Sequence, residues 1–231
     1  HQGDRMRREF PTTPDEAFAA SVEGSYFGRE MARVRTEGRI CSVPHEPGLP
    51  VNTFWDLGIN GTSAIWFHQR VGREDRFINF HEENGEGLAH YVNLLREKAY
   101  TYGTHYLPYD VEVGELGTGL SRRRMLEALG LRPITTVPRA VDIGTEIQAA
   151  RNALARCWFD AKRCDSGLRH LDNYRREWGE RRGVWKDRPR HDAASHGADA
   201  FRMFAVGYRP LVTTADFPTT VGMDWDPLAP N

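Results

Sequence analysis

The period of apolar and polar positions changes at Val51, where strand-like alternation begins. Three β-rich runs joined by short turns indicate an antiparallel meander over residues 52–57, 62–70 and 75–82. Apolar side chains then recur at helical spacing over 86–101, and a further strand is predicted over 104–109, directly before Asp110. The chain therefore passes from hairpin-connected strands to an alternation of helices and strands.

The remainder of the pattern is mainly helical. Ser121 suits the N-cap of the first of these helices, which are predicted over 122–129, 143–154, 166–178 and 192–206. Extended segments are predicted over 131–137 and 157–160. The charged, glycine-containing segment 179–189 suits a hairpin or a mobile loop. Together these elements predict an α/β fold in which helices flank a mixed β-sheet.

The length of 231 residues allows one sizeable core. We expect this domain over residues 51–208. Residues 1–50 are expected to form an N-terminal arm, with a helix over 28–35 and a proline-broken linker after it. Residues 209–231, rich in Pro and Thr, are expected to form a C-terminal tail.

Composition excludes several classes of protein. No segment approaches the roughly 20 apolar residues of a membrane span, and the first residues lack the apolar core of a signal peptide. The formal net charge is −1, so a surface that binds nucleic acid must be local. Cys41, Cys157 and Cys164 lack CxxC spacing, which argues against a disulfide framework or a zinc ribbon and is typical of reduced cytosolic cysteines.

Three acids stand at positions that are unfavourable for a carboxylate. Asp56 directly follows Phe54 and Trp55, Asp110 ends a predicted strand, and Asp199 lies within a predicted helix between two alanines. A buried, unpaired carboxylate costs several kcal/mol, so each needs compensation. A polar loop would compensate Asp56, and an arginine would compensate Asp199. If the strands that end at Asp56 and Asp110 are neighbours, however, the two carboxylates leave the same sheet edge and favour a hard divalent ion such as Mg²⁺ or Mn²⁺.

The last predicted helix carries further candidates. Asp192, His196 and Asp199 are spaced i, i+4 and i+7 and so share one face. Asp192 suits a helix cap, which leaves Asp199 as the better ligand. Asp192 and His196 remain possible accessory residues, since a histidine can orient water or a ligand.

In this order, the three acids resemble those of the C-terminal nuclease domain of large terminase subunits from tailed bacteriophages. The third acid lies in the pattern S-H-x-A-D-A-x-R, at residues 195–202. The segments FPTTPDEAF at 10–18 and CDSGLRHLDNYRREW at 164–178 are also similar to segments of that family. The resemblance implies an RNase H-like mixed β-sheet flanked by helices.

The resemblance also implies an activity, cofactors and partners. Members of the family hydrolyse concatemeric double-stranded DNA for genome packaging, with two Mg²⁺ or Mn²⁺ ions. Asp56 would bridge the ions, and Asp110 and Asp199 would each complete the shell of one. The expected partners are the terminase ATPase domain of the same parent chain, the portal ring and the small terminase subunit, in the host cytoplasm. No G-x-x-x-x-G-K-[ST] motif is present, so we expect a fragment without ATPase activity.

Basic and aromatic residues close to the predicted hairpin are candidates for DNA contact. They are Arg181, Arg182, Trp185, Lys186 and Arg188. Arginine and lysine contact phosphates, and an exposed tryptophan stacks on bases. A solvated loop would have the same composition.

Two other functions fit the same residues. A junction resolvase or transposase-like enzyme also uses three acids on an RNase H-like sheet. A docking module without catalysis would hold DNA or the portal ring, with the acids as surface charges. Dependence of DNA cleavage on metal separates both enzymes from the docking module, and a preference for branched DNA separates the resolvase from the terminase nuclease.

Overall fold

A computed structural model of the chain describes residues 24–58, 61–114, 119–139, 141–179 and 183–210, apart from the side chain of Asp187. Its helices are α1 Gly28–Thr36, α2 Leu88–Lys98, α3 Arg122–Ala128, α4 Ile143–Leu154, α5 Asp165–Asn173 and α6 Ala193–Gly207. Its strands are β1 Ile40–Cys41, β2 Val51–Asp56, β3 Thr62–Val71, β4 Glu74–Asn84, β5 Tyr102–Pro108, β6 Ile134–Val137, β7 Cys157–Asp160, β8 Arg176–Gly179 and β9 Val184–Pro189.

Seven of these strands form one mixed sheet in the order β1-β7-β4-β3-β2-β5-β6. The predicted meander is confirmed, because β2 pairs antiparallel with β3 and β3 antiparallel with β4. Towards one edge, β5 lies parallel to β2 and β6 parallel to β5. The carboxyl ends of β2 and β5 therefore meet at the same side of the sheet.

Helices cover both faces of this sheet. β3 is buried continuously over residues 63–69, as expected for a central strand with apolar layers on both sides. One core lies between the sheet and α1, α4, α5 and α6, and the other lies between the opposite face, α2 and α3. The predicted mixed α/β sheet flanked by helices is confirmed.

Helix α6 lies unusually close to its neighbours. Phe201 and Phe204 are fully buried in the core. At Gly197, an added Cβ would lie 2.7 Å from the His170 ring, and the carbonyl of Gly197 accepts a hydrogen bond of 2.8 Å from Nε1 of Trp66. Only a residue without a side chain fits at this position. The close contact allows the neighbouring residues of α6 to approach the sheet.

The predicted helix over 166–178 is wrong in its last turn. Helix α5 ends at Asn173, and residues 176–179 instead form β8, which pairs antiparallel with β9. The backbone hydrogen bonds of this segment go to the N-terminal residues, since Tyr26 donates to the carbonyl of Tyr174 at 2.9 Å and Arg176 donates to that of Gly24 at 2.8 Å. Burial of the Tyr174 ring against Phe27 prevails over helix propensity.

The described part of the predicted arm packs against the sheet. Met31 and Val34 of α1 are buried in the core, and β1 pairs parallel with β7 as an edge strand. The division of the chain at residues 50 and 208 stays a prediction, and residues 1–23 and 211–231 lie outside the described residues. In the described part of the chain, no helix has the length and apolarity needed to cross a membrane.

Candidate active site

Three acids from three different elements line one cleft. Asp56 is the last residue of β2, Asp110 lies in the 3₁₀ turn Tyr109–Glu112 that follows β5, and Asp199 lies on α6. Because β2 and β5 are parallel neighbours and α6 crosses them on one face, the three side chains reach the same cleft, which has a volume of about 280 Å³. We call it the acid cleft.

Asp56 is held by a histidine. Nδ1 of His196 lies 3.0 Å from Oδ2 of Asp56. Burial raises the pKa of Asp56, and the negative charge of Asp199 raises it further, although the hydrogen bond from His196 acts in the opposite direction. The same hydrogen bond raises the pKa of His196. A positive charge in the cleft would therefore stabilise the ionised form of Asp56.

Asp110 is held through one of its two oxygens. Nη2 of Arg122 lies 3.3 Å from Oδ2 of Asp110, and Arg122 is itself largely buried. Oδ1 of Asp110 is buried, and no described residue forms a hydrogen bond with it. A buried carboxylate oxygen without a partner is costly, so this atom is suited to accept a ligand.

Asp199 is also held through a single oxygen. Oδ1 accepts hydrogen bonds from Nη2 of Arg202 at 2.6 Å and from the hydroxyl of Tyr174 at 3.1 Å. Burial and the charge of Asp199 raise the pKa of Tyr174, so the hydroxyl remains a donor. Arg202 also pairs with Glu146. The arginine pairing that the sequence allowed for Asp199 is thus present, but it occupies Oδ1 alone.

The donor set of the cleft fits a divalent metal. In each of the three acids one oxygen contacts a neighbouring side chain, and the other oxygen takes none of these contacts. Carboxylate oxygens are the ligands of hard ions such as Mg²⁺ and Mn²⁺. The ligand oxygens of the three acids do not all lie within 4.8 Å of one another. Among the described residues, only the ligand atoms of His81, Glu83 and His90 do so.

Several further polar residues of the cleft escaped the sequence analysis, Glu146 and Arg139 among them. Glu146 of α4 lines the cleft and binds Arg202, and the exposed Arg139 lies at the cleft with its guanidinium 5.7 Å from the centre of the Tyr109 ring. The sequence did contain a signal that Glu146 lies near a second acid. Asp142 caps the predicted helix, and Glu146 follows it at i+4 on the same face. Nothing in the sequence distinguishes Arg139 from the other arginines.

Asp192 lies outside the acid cleft. Its side chain caps α6 by accepting a hydrogen bond of 3.1 Å from the backbone N–H of Ala194, as predicted. Oδ2 of Asp192 also lies 3.4 Å from Nε of Arg190. These contacts explain the residue as a helix cap.

The residues predicted to contact DNA belong to the β8–β9 hairpin, as far as they are described. Lys186 and Arg188 both pair with Glu177, whose pKa they lower to about 2. The Trp185 ring packs on Trp178, with the ring centres 4.9 Å apart, and also covers Gly24. Trp185 therefore has a packing role within the fold. Arg181 and Arg182 lie outside the described residues.

Comparisons by sequence identify no relative, since no protein-family model matches the chain and no curated protein matches it. Solved structures, in contrast, include similar folds. The large terminase nuclease of the thermophilic phage G20c with bound magnesium superposes with a TM-score of 0.56 at 16% identity, covering 80% of this chain and 98% of that one. The P22 large terminase nuclease domain gives a TM-score of 0.54 at 15% identity, with 74% and 88% covered.

A large terminase from another thermophilic bacteriophage gives a TM-score of 0.55 at 15% identity over 72% of this chain. The chain spans only 41% of that protein's length. At such low identity the likeness concerns the fold. The chain has the RNase H-like fold of the nuclease domains of phage large terminases.

Proposed function

We propose that this chain is a metal-dependent endonuclease domain that hydrolyses phosphodiester bonds of double-stranded DNA. The observation that carries the proposal is the acid cleft, where Asp56, Asp110 and Asp199 each keep one carboxylate oxygen clear of their neighbours' contacts. The fold supports it, because the similar G20c nuclease has been solved with bound magnesium and with bound cobalt.

The metal complement we propose is two Mg²⁺ or Mn²⁺ ions, with Asp56 shared between them and Asp110 and Asp199 each binding one. When bound, such ions supply an activated water and stabilise the attacking and leaving oxygens of the phosphodiester.

Residues in and around the cleft orient the acids and the substrate. His196 fixes Oδ2 of Asp56, and Arg202 with Tyr174 fixes Oδ1 of Asp199, so that the remaining oxygens have defined directions. Arg139 is exposed at the rim and is suited to bind a phosphate of the DNA backbone. We assign Lys186 and Arg188 a weaker, outer phosphate contact, because Glu177 neutralises part of their charge.

We extend the proposal to the substrate, the partners and the location of the domain. The substrate would be concatemeric viral DNA, and the partners would be the ATPase domain of a longer parent chain, the portal ring and the small terminase subunit, in the host cytoplasm. In this arrangement residues 1–50 would connect to the ATPase, residues 51–208 would cut, and residues 209–231 would form a tail.

The test is cleavage of supercoiled plasmid by the native chain, Asp56→Asn and Asp165→Asn, with Mn²⁺, Mg²⁺ or EDTA. Asp165 is a matched control, because its side chain is 60% exposed and pairs with Arg169, four residues further along the same helix. We expect cleavage that requires metal, is lost in Asp56→Asn and is unchanged in Asp165→Asn. Metal-dependent cutting that survives Asp56→Asn would refute the assigned site.

Two alternatives have distinct outcomes in the same assay. Strong preference for a four-way junction over linear duplex would favour a junction resolvase. Absence of cleavage under every metal condition, together with DNA binding, would favour a docking module without catalysis.

A further inference from the structure

A second cluster of metal-binding side chains lies on the other face of the sheet. His81 and Glu83 belong to the end of β4, and His90 belongs to the first turn of α2. Asp56, Ala64 and Glu82 form one row across β2, β3 and β4, and the adjacent row consists of Trp55, Ile65 and His81. Because successive strand residues point to opposite faces, His81 and Glu83 face α2, whereas Asp56 faces α6.

The ligand atoms of this cluster converge. Oε2 of Glu83 lies 3.2 Å from Nε2 of His81 and 2.7 Å from Nε2 of His90, and all three atoms lie within 4.8 Å of one another. Ligands of a tetrahedral zinc ion at 2.0–2.1 Å are separated by about 3.3 Å. A small adjustment of partly exposed side chains would therefore admit an ion among the three atoms.

The surroundings orient the ligands. Oε2 of Glu86 lies 3.7 Å from Nδ1 of His90, which leaves Nε2 of that ring to face the cluster. A carboxylate behind the distal nitrogen is the common outer partner of a metal-bound histidine. The hydroxyl of Tyr91, a buried residue of α2, donates a hydrogen bond of 3.2 Å to the carbonyl of Glu83 and so ties the end of β4 to the helix.

Lys98 is a nearby positive charge that opposes a metal ion at this cluster.

We propose that His81, Glu83 and His90 form a Zn²⁺ site with an open fourth position, separate from the acid cleft. Two imidazoles and one carboxylate suit zinc, whereas the carboxylates of the cleft suit harder ions. The three ligands lie within ten residues of sequence, HEENGEGLAH. Zinc bound there would fix the connection between β4 and α2.

The experiment titrates Zn²⁺ into the full chain by calorimetry in excess Mg²⁺, which occupies hard oxygen sites without competing for imidazole. We expect one Zn²⁺ per chain. His81→Gln and His90→Gln should each weaken binding by more than 100-fold, and Glu86→Gln by about 10- to 100-fold, as for loss of an outer partner. His45→Gln, a histidine outside the cluster that packs on Tyr100, is the matched control and should bind zinc normally.

Absorption of Co²⁺ substituted at the site distinguishes it from the acid cleft without an activity assay. We expect an intense tetrahedral cobalt spectrum that persists in Asp56→Asn and disappears in Glu83→Gln, with circular dichroism showing that both variants fold. A weak octahedral spectrum that disappears in Asp56→Asn would overturn the proposal, as would Zn²⁺ binding that survives both histidine substitutions or is absent from the native chain.

Discussion

Nδ1 of His196 lies 3.0 Å from Oδ2 of Asp56 and connects the last helix of the described chain to the second strand of its sheet. The histidine is partly buried, with its side chain 19% exposed. It fixes the orientation of a carboxylate that we assign to both metal ions, so a change at His196 tests the assignment without removing a ligand.

We expect His196→Ala to lower the rate of plasmid cleavage by about 10- to 100-fold, the usual cost of losing an outer partner of a metal ligand. His196→Asn, whose amide nitrogen occupies nearly the position of Nδ1, should retain most of the activity. The measurement is the initial rate as a function of Mn²⁺ concentration, and half-saturation should shift to higher Mn²⁺ in the alanine variant. Equal rates for the native chain and His196→Ala would contradict a positioning role.

Arg202 compensates two acids, Glu146 and Asp199, and is only 7% exposed. We expect Arg202→Met to lower the free energy of unfolding by about 3–5 kcal/mol, because two carboxylates lose their common partner in a buried place. Denaturation in urea gives this value. The control is Arg123→Met, where the lost pairs with Glu112 and Glu127 are surface pairs worth less than about 1 kcal/mol. Similar losses in both variants would argue against a special role for the buried network.

His105 makes stability depend on pH. It is buried beside β2, with Nδ1 2.7 Å from Oγ1 of Thr53, and burial lowers its pKa to about 4. Between pH 6.5 and 4 the unfolded chain binds a proton that the folded chain does not, so stability falls as the pH falls through this window. The contribution is of the order of 3 kcal/mol.

The measurement for His105 is the free energy of unfolding at pH 7 and at pH 4 for the native chain and His105→Gln. The loss between the two pH values should be smaller in His105→Gln, which cannot titrate. A His105→Gln protein with the native pH dependence would show that other groups cause it.

Gly197 sets the distance between α6 and α5. We expect Gly197→Ala to destabilise the fold by about 1–3 kcal/mol, the usual cost of overpacking, because the new Cβ would lie 2.7 Å from the His170 ring. Gly48→Ala is the control, since a Cβ there would meet nothing within 4 Å. Thermal unfolding of the two variants measures the difference, and unchanged stability of Gly197→Ala would mean that the helices can separate without cost.

Glu177 reduces the positive charge of the β8–β9 hairpin. If Lys186 and Arg188 contact phosphate, Glu177→Gln should strengthen binding to a short duplex and steepen its salt dependence, by about 0.9 in logarithmic slope for each cation that newly contacts phosphate. Asp172→Asn removes the same charge beside Arg35, outside the hairpin, and should have little effect. Fluorescence anisotropy at several salt concentrations compares them. Identical behaviour of the two variants would exclude the hairpin from the DNA interface.

The local pattern was sufficient to predict most of the sheet, because alternation over β2, β3 and β4 specifies both the strands and the faces they bury. It was also sufficient to bring Asp56 and Asp110 together, since only the parallel pairing of β2 and β5 had to be assumed. The local pattern could not predict that the helix ends at Asn173 and that a strand follows it. There the backbone partners of Tyr174 and Arg176 are residues 24–26, which are distant in sequence and leave no periodic signal.

Side-chain contacts between residues that are distant in sequence could likewise not be predicted from the local pattern. Arg202 joins Glu146 of α4 to Asp199 of α6, and Trp185 is covered by Trp178 and the backbone of Gly24. The sequence suggested Trp185 as an exposed base-stacking residue because its immediate neighbours are charged. Packing against a glycine in the preceding chain decides its environment instead.

The position of α6 has a consequence for synthesis on the ribosome. Asp199, Arg202 and His196 lie in the last helix of the described chain and so are translated after its other helices and strands. Until then the apolar surface of Phe54 and Trp66 that Phe204 and Phe201 cover stays exposed. Under the proposed function, a nascent or truncated chain therefore carries two acids without the third. Cutting activity would be withheld until translation of the helix is complete, which would protect nearby DNA from unfinished enzyme.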